Sequence, residues 1–169
     1  MLCKCIKIKY KNAKIPALNE QLLNYKKSAE DTVQQEIYEE ILKETNFQMY
    51  DEKEADAFQN NMFSISKSKE LFIPKCNLQI PQIDENLVKK LIDGEINSDE
   101  FKSYSSKLLD KITDFEQKMC EYKRQLKRKL IEYIPHLHEI YVHEVRIGEN
   151  QFDTFRDYVK NFLEFTLKI

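Results

Sequence analysis

A helical period running from Asn97 or Ser98 to about Tyr133 constrains this chain more than any other feature. Apolar residues recur at Phe101, Leu108, Ile112, Phe115, Met119, Tyr122, Leu126 and Tyr133, mostly at alternating steps of four and three. That spacing lines one face of an α-helix, close to a heptad seam. A stripe of this kind has to be covered, either by the rest of the chain or by a second copy in a coiled-coil-like homodimer through the 101–133 helix. Its start carries a cap signal, since Asn97 with Glu100 forms a capping box.

Helix breakers are scarce throughout. Two glycines and four prolines in 169 residues fall well below the usual roughly 7 % Gly and 5 % Pro. Glycine supplies the positive φ angles of tight turns and phosphate-cradling loops, so an all-β fold, a Rossmann loop and a P-loop are all disfavoured. The length suits one domain with a sizeable core. The pattern predicts an α+β fold, predominantly helical at roughly 55–65 %, with long amphipathic helices and a small sheet or β-hairpin. Its three parts are a mixed strand and helix half over 1–82, a helical hairpin over 83–134, and a strand plus C-terminal helix over 135–169.

The small β component is expected in three places. In 4–10, Ile6, Ile8 and Tyr10 alternate with lysines, a period of two. In 62–80, Phe63 and Ile65 alternate with serines, and LFIPKCNLQIP, which runs to Pro81, holds two prolines and no helical period. In 138–147, HEIYVHEVRI is rich in β-branched residues and reads as a strand, with a helix starting at Pro135 as the alternative; Pro135 ends or kinks the long helix. The other helices run over about 17–45, with the stripe Leu18, Leu22, Tyr25, Ala29, Val33, Ile37 and Ile41, and over 52–60 behind an Asp51/Glu54 capping box. A third runs from an Asp84 N-cap to Asp93 with Gly94 as C-cap, and a last one from an Asn150/Asp153 cap to about Leu167, with the stripe Phe155, Tyr158, Val159, Phe162 and Phe165. The unit LVKKLIDGEINSDEFKSYSSKLL resembles the short bihelical modules appended to many bacterial proteins; any capped helical hairpin shares the pattern, so it identifies no family.

Chemical signatures are weaker. His136, His138 and His143 lie within eight residues, with Glu139 and Glu144 among them, and imidazoles with carboxylates are metal ligands. On a strand His143 has the wrong parity to join the other two, and on a helix His138 turns away from His136, Glu139 and His143. The expectation is therefore no metal and no cofactor. Cys3-x-Cys5 lacks the usual zinc spacing, Cys120 borders the apolar seam as a small buried hydrophobe, and Cys76 lies in a Pro-flanked extended run that leaves exposure open to it. No signal peptide or membrane span is read, and free thiols suit a cytoplasmic setting.

Charge is distributed more informatively than its total of −2 suggests. Residues 30–56 carry ten acids and two lysines, residues 118–129 carry six bases and one acid, and residues 4–14 carry five lysines and no acid. Lys123/Lys127 and Arg124/Arg128 form i,i+4 columns. A basic cluster near a helix C-terminus complements the helix dipole, and this one could pack beside the acidic helix; as a docking patch it would meet phosphates or an acidic protein. Three functional classes fit. The leading one is a non-enzymatic interaction protein, an adaptor, inhibitor or small regulatory subunit binding another protein through Lys123, Arg124, Lys127 and Arg128 with Phe152 and Tyr158. Small virus-borne inhibitors of host defence systems share this description. The others are an accessory nucleic-acid binder using 4–14 and 118–129, and a metal-dependent enzyme centred on 136–144.

Overall fold

The computed structural model describes residues 15–60 and 70–169. It holds five helices among them: α1 (Ile15–Glu44), α2 (Phe47–Asn60), α3 (Glu85–Ile92), α4 (Ser98–Ile147) and α5 (Phe155–Leu167). Of the described residues 78 % are helical, and none of them forms a strand. The expected α+β class is thus corrected to all-α. The strand read at 4–10 and most of the first half of the 62–80 run lie outside the described residues; 70–80 forms neither strand nor helix.

The third predicted strand, 138–147, is the last three turns of α4, and Pro135 sits inside that helix. The reason lies in the stripe. Leu126, Leu130, Ile134, Leu137 and Tyr141 are all buried, at helical steps of four, four, three and four that pass straight through Pro135. Burying that continuous face outweighs the β preference of Ile, Tyr and Val, which is itself mostly a packing preference. Pro135 lies on the exposed side, where water can satisfy the carbonyl that loses its donor.

Helix ends follow local chemistry. Asp84 accepts from the Asn86 and Leu87 N–H groups at 2.9 and 3.3 Å, and α3 stops at Gly94 with φ 75°. Asn97 accepts from Asp99 and Glu100 at 3.0 and 2.9 Å while the Asn97 N–H donates to Glu100 at 3.1 Å, the reciprocal capping box. Two caps differ from expectation. Asn46 accepts from the Met49 N–H at 3.3 Å, so α2 opens at Phe47 and Asp51 lies within it. Thr154 caps α5, accepting from Asp157 at 3.1 Å, whereas Asn150 closes a turn with Phe152.

The described residues form two compact units, and α1 and α4 each contribute a segment to both. The first joins 15–30 of α1 to Cys76–Glu121. Its buried side chains are Ile80, Val88, Phe101, Phe115 and Met119. Leu108 and Ile112 are half-buried, as is Tyr122 in the second unit. The Asn19 amide clamps the extended run by accepting from the Ile83 N–H at 2.9 Å and donating to its carbonyl at 3.4 Å. The second unit joins 31–60 and 70–75 to Tyr122–Ile169. Val33, Ile37 and Ile41 of α1, the α4 stripe, and Phe155, Val159, Leu163 and Leu167 of α5 make its core. No helix among the described residues is long and apolar enough to cross a membrane.

Candidate interaction surfaces

In the second unit, the acidic and basic runs meet. Lys123 Nζ donates to Glu36 at 2.9 Å and Glu40 at 2.7 Å, and Lys127 Nζ donates to Glu40 and Glu44, both at 2.8 Å. The four-residue step of each helix sets the two lysines between three glutamates, like rungs. Hydrogen bonds from Lys123 and Lys127 hold the Glu40 carboxyl down at about 2. The glutamates in turn raise both ammonium groups above their ordinary value. Half of the predicted basic contact is therefore engaged by α1.

Arg124 and Arg128 lie on the outward side of α4. Both are exposed, and the Arg128 side chain, 68 % exposed, reaches Glu132 only at 3.8 Å. An exposed pair of that length contributes little stability.

The predicted aromatic pair is also turned inward. Phe152 meets Tyr158 edge-on at 5.6 Å, and Tyr158 packs on Tyr141 at 5.4 Å. Burial and the neighbouring Glu144 carboxylate push the Tyr158 phenol well above its usual range. Both rings are half-buried parts of the unit's own aromatic cluster.

The exposed aromatic surface lies further along α5. Phe155, Val159, Leu163 and Leu167 are the buried row. A second row, Tyr158, Phe162 and Phe165, runs along its flank at steps of four and three, and Ile169 follows beyond the left-handed Lys168 that ends the helix. Phe162 stacks on Tyr133 at 5.8 Å, then Phe165 is 86 % and Ile169 52 % exposed. Sequence reasoning placed Phe165 in the core stripe. The signal that separates it is the unbroken four-residue step from Phe155 to Leu167, which leaves Phe165 at the edge of an apolar arc wider than one buried face.

The histidines diverge on their helix. His136 Nδ1 lies 3.1 Å from Glu139 Oε2. His138 faces an aromatic box of Tyr50, Tyr141 and Phe155, and His143 is half-buried. Among the described residues no three His, Cys, Asp or Glu side chains converge as a ligand set.

In the first unit, a cleft of about 580 Å3 is lined by Leu23, Lys26, Ile80, Pro81, Lys111 and Asp114, among others. Lys26 pairs with Glu30 at 3.5 Å and Asp114 with Lys118 at 2.6 Å, so most of its charge is already balanced. Cys76 is half-buried and Cys120 exposed, not buried as expected. Burial, with Glu30 nearby, raises the Cys76 thiol above its ordinary value, which disfavours a nucleophilic thiolate. The apolar seam of α4 at Phe101, Phe115, Met119 and Leu126 is covered within the chain.

No family model, no curated protein and no solved structure matches this chain.

Proposed function

We propose that this protein works by binding another protein, as an adaptor, inhibitor or small regulatory subunit, with Phe165 near the end of α5, and Ile169 just past it, at the contact. The observation that carries this reading is the 86 % exposure of Phe165, on a helix whose adjacent row is fully packed, with Ile169 just past the helix end also exposed. An aromatic ring on a rigid helix is an efficient anchor, because little side-chain freedom is lost when it is buried. Arg124 and Arg128 remain in the reading as a separate charged surface that speeds encounter with an acidic partner. Lys123 and Lys127 are left to the α1 ladder, and Phe152 and Tyr158 to the internal cluster.

The test is quantitative cross-linking in the source cell with wild type, Phe165→Asp, and the double variant Arg124→Glu/Arg128→Glu. Phe165→Asp should lower recovery of one specific protein about tenfold, the equivalent of about 1.4 kcal/mol at an interface, with the fold intact by circular dichroism. Equal recovery from all three proteins, or recovery of nucleic acid alone, would refute the assignment.

A further inference from the structure

We propose that His138 is an acid-sensitive latch for α2: protonation of its imidazole releases α2 from the aromatic floor that Tyr141 and Phe155 provide.

The geometry carries this through the principal anchor of α2, since its other aromatic contact, Phe47 on Phe155 at 6.1 Å, is made by a half-buried residue at the helix start. Tyr50 is the one buried residue of α2 among those described. Its ring lies 5.0 Å from the His138 ring and 5.1 Å from Phe155. Phe155 in turn meets His138 edge-on at 4.8 Å. The anchor of α2 thus rests directly on an ionisable group that is only 6 % exposed.

That group is also incompletely satisfied. His138 Nε2 is buried and has no hydrogen-bond partner among the described residues. In the neutral ring a bare Nε2 is a tolerable unmet acceptor. In the imidazolium it becomes a buried N–H donor carrying part of a charge, which is far costlier. Lifting Tyr50 away exchanges its backbone hydrogen bond to His138 for water and opens Nε2 to water, which removes that cost.

The surrounding charges do not cancel it. From α2, Lys53 repels an imidazolium while a hydrogen bond to the Tyr50 backbone, and then Asp51, favour it; from α4, Glu139 attracts it but already faces His136; α5 presents the apolar Phe155 ring. Burial first, then Lys53, pushes the imidazole below its ordinary value of 6.5. The sign follows. A histidine depressed in the closed state leaves that state at full strength above about 6.5 and weakens it as pH falls below that value. Glu54 of α2 acts in the opposite direction near the lower end of this range, because burial and Asp51 raise its carboxyl, so protonating it favours closure.

Amide hydrogen exchange of α2, corrected for intrinsic rates, tests the latch. Protection in wild type should fall by up to about tenfold per pH unit below about pH 6.5. In a Glu54→Gln background the fall should steepen, and in His138→Phe it should vanish. PH-independent protection in wild type, or an equal fall in His138→Phe, would overturn the proposal, the latter by assigning the effect to another group. Should His138→Phe fail to fold, the imidazole resonances of wild type give the answer. A His138 that stays neutral until α2 opens supports the latch, and one that titrates at its ordinary value with α2 closed refutes it.

Discussion

Replacing Phe155 and Phe165 by alanine, one at a time, puts the packing of α5 under direct test. The two residues belong to the same helix and were assigned by periodicity to the same stripe, yet Phe155 is 0 % exposed and Phe165 86 %. Phe155 has four aromatic neighbours, with centroids at 4.8 Å (His138), 5.1 Å (Tyr50), 5.4 Å (Tyr141) and 6.1 Å (Phe47). Truncating a buried Phe costs about 3–5 kcal/mol through lost transfer energy and the cavity left behind. Aromatic pairs add about 0.5–1.5 kcal/mol each but are not independent. The expected loss for Phe155→Ala is therefore in the upper part of the range, about 4–5 kcal/mol. Phe165→Ala should stay within about 0.5 kcal/mol, as surface substitutions do. Urea titration followed by far-UV and tyrosine near-UV circular dichroism measures both, with an unchanged slope confirming that stability alone has moved. A Phe155→Ala loss below about 1 kcal/mol, or equal losses at the two sites, would refute the register of α5.

The charge ladder predicts that Glu40→Gln costs about 0.5–1 kcal/mol, partial exposure keeping the value near that of surface pairs, and that the cost shrinks in high salt. Its contribution is present in full above the unfolded carboxyl value of 4.5 and is lost as pH falls toward the folded value of about 2, so thermal unfolding of Glu40→Gln and wild type should converge over that acid range; curves that stay parallel would remove the ladder from the account. Pro135→Ala restores a backbone donor inside α4 on its exposed side and should stabilise the protein by about 1–3 kcal/mol, read as a raised denaturant midpoint. A destabilised variant would show that Pro135 shapes the helix rather than merely being tolerated.

Much of the helical scaffold was legible because it depends on local chemistry. The Asp84 and Asn97 caps, Gly94, and the α1 stripe through Val33, Ile37 and Ile41 all announce themselves in residue type and spacing. The largest misreading has a non-local cause. HEIYVHEVRI has β-branched side chains, but Leu137 and Tyr141 extend a buried row that begins well upstream, and a local window does not weigh that row against propensity. The Thr154-x-x-Asp157 cap was readable, yet Asn150/Asp153 offers the same signature four residues earlier.

For the candidate surfaces, the sequence determined which side chains are available: two basic columns, an acidic helix and an aromatic C-terminal helix. It did so because periodicity fixes which residues share a face. Only the tertiary structure decided how each face is used. Packing α1 beside α4 turned Lys123 and Lys127 toward Glu36, Glu40 and Glu44. Packing α5 buried Phe155 and left Phe165 in solvent, and docking α2 enclosed His138. The physical reason is that a helix wheel specifies angles about its own axis, whereas burial and charge pairing depend on which neighbour occupies each angle, and that is settled by contacts between residues far apart in the chain.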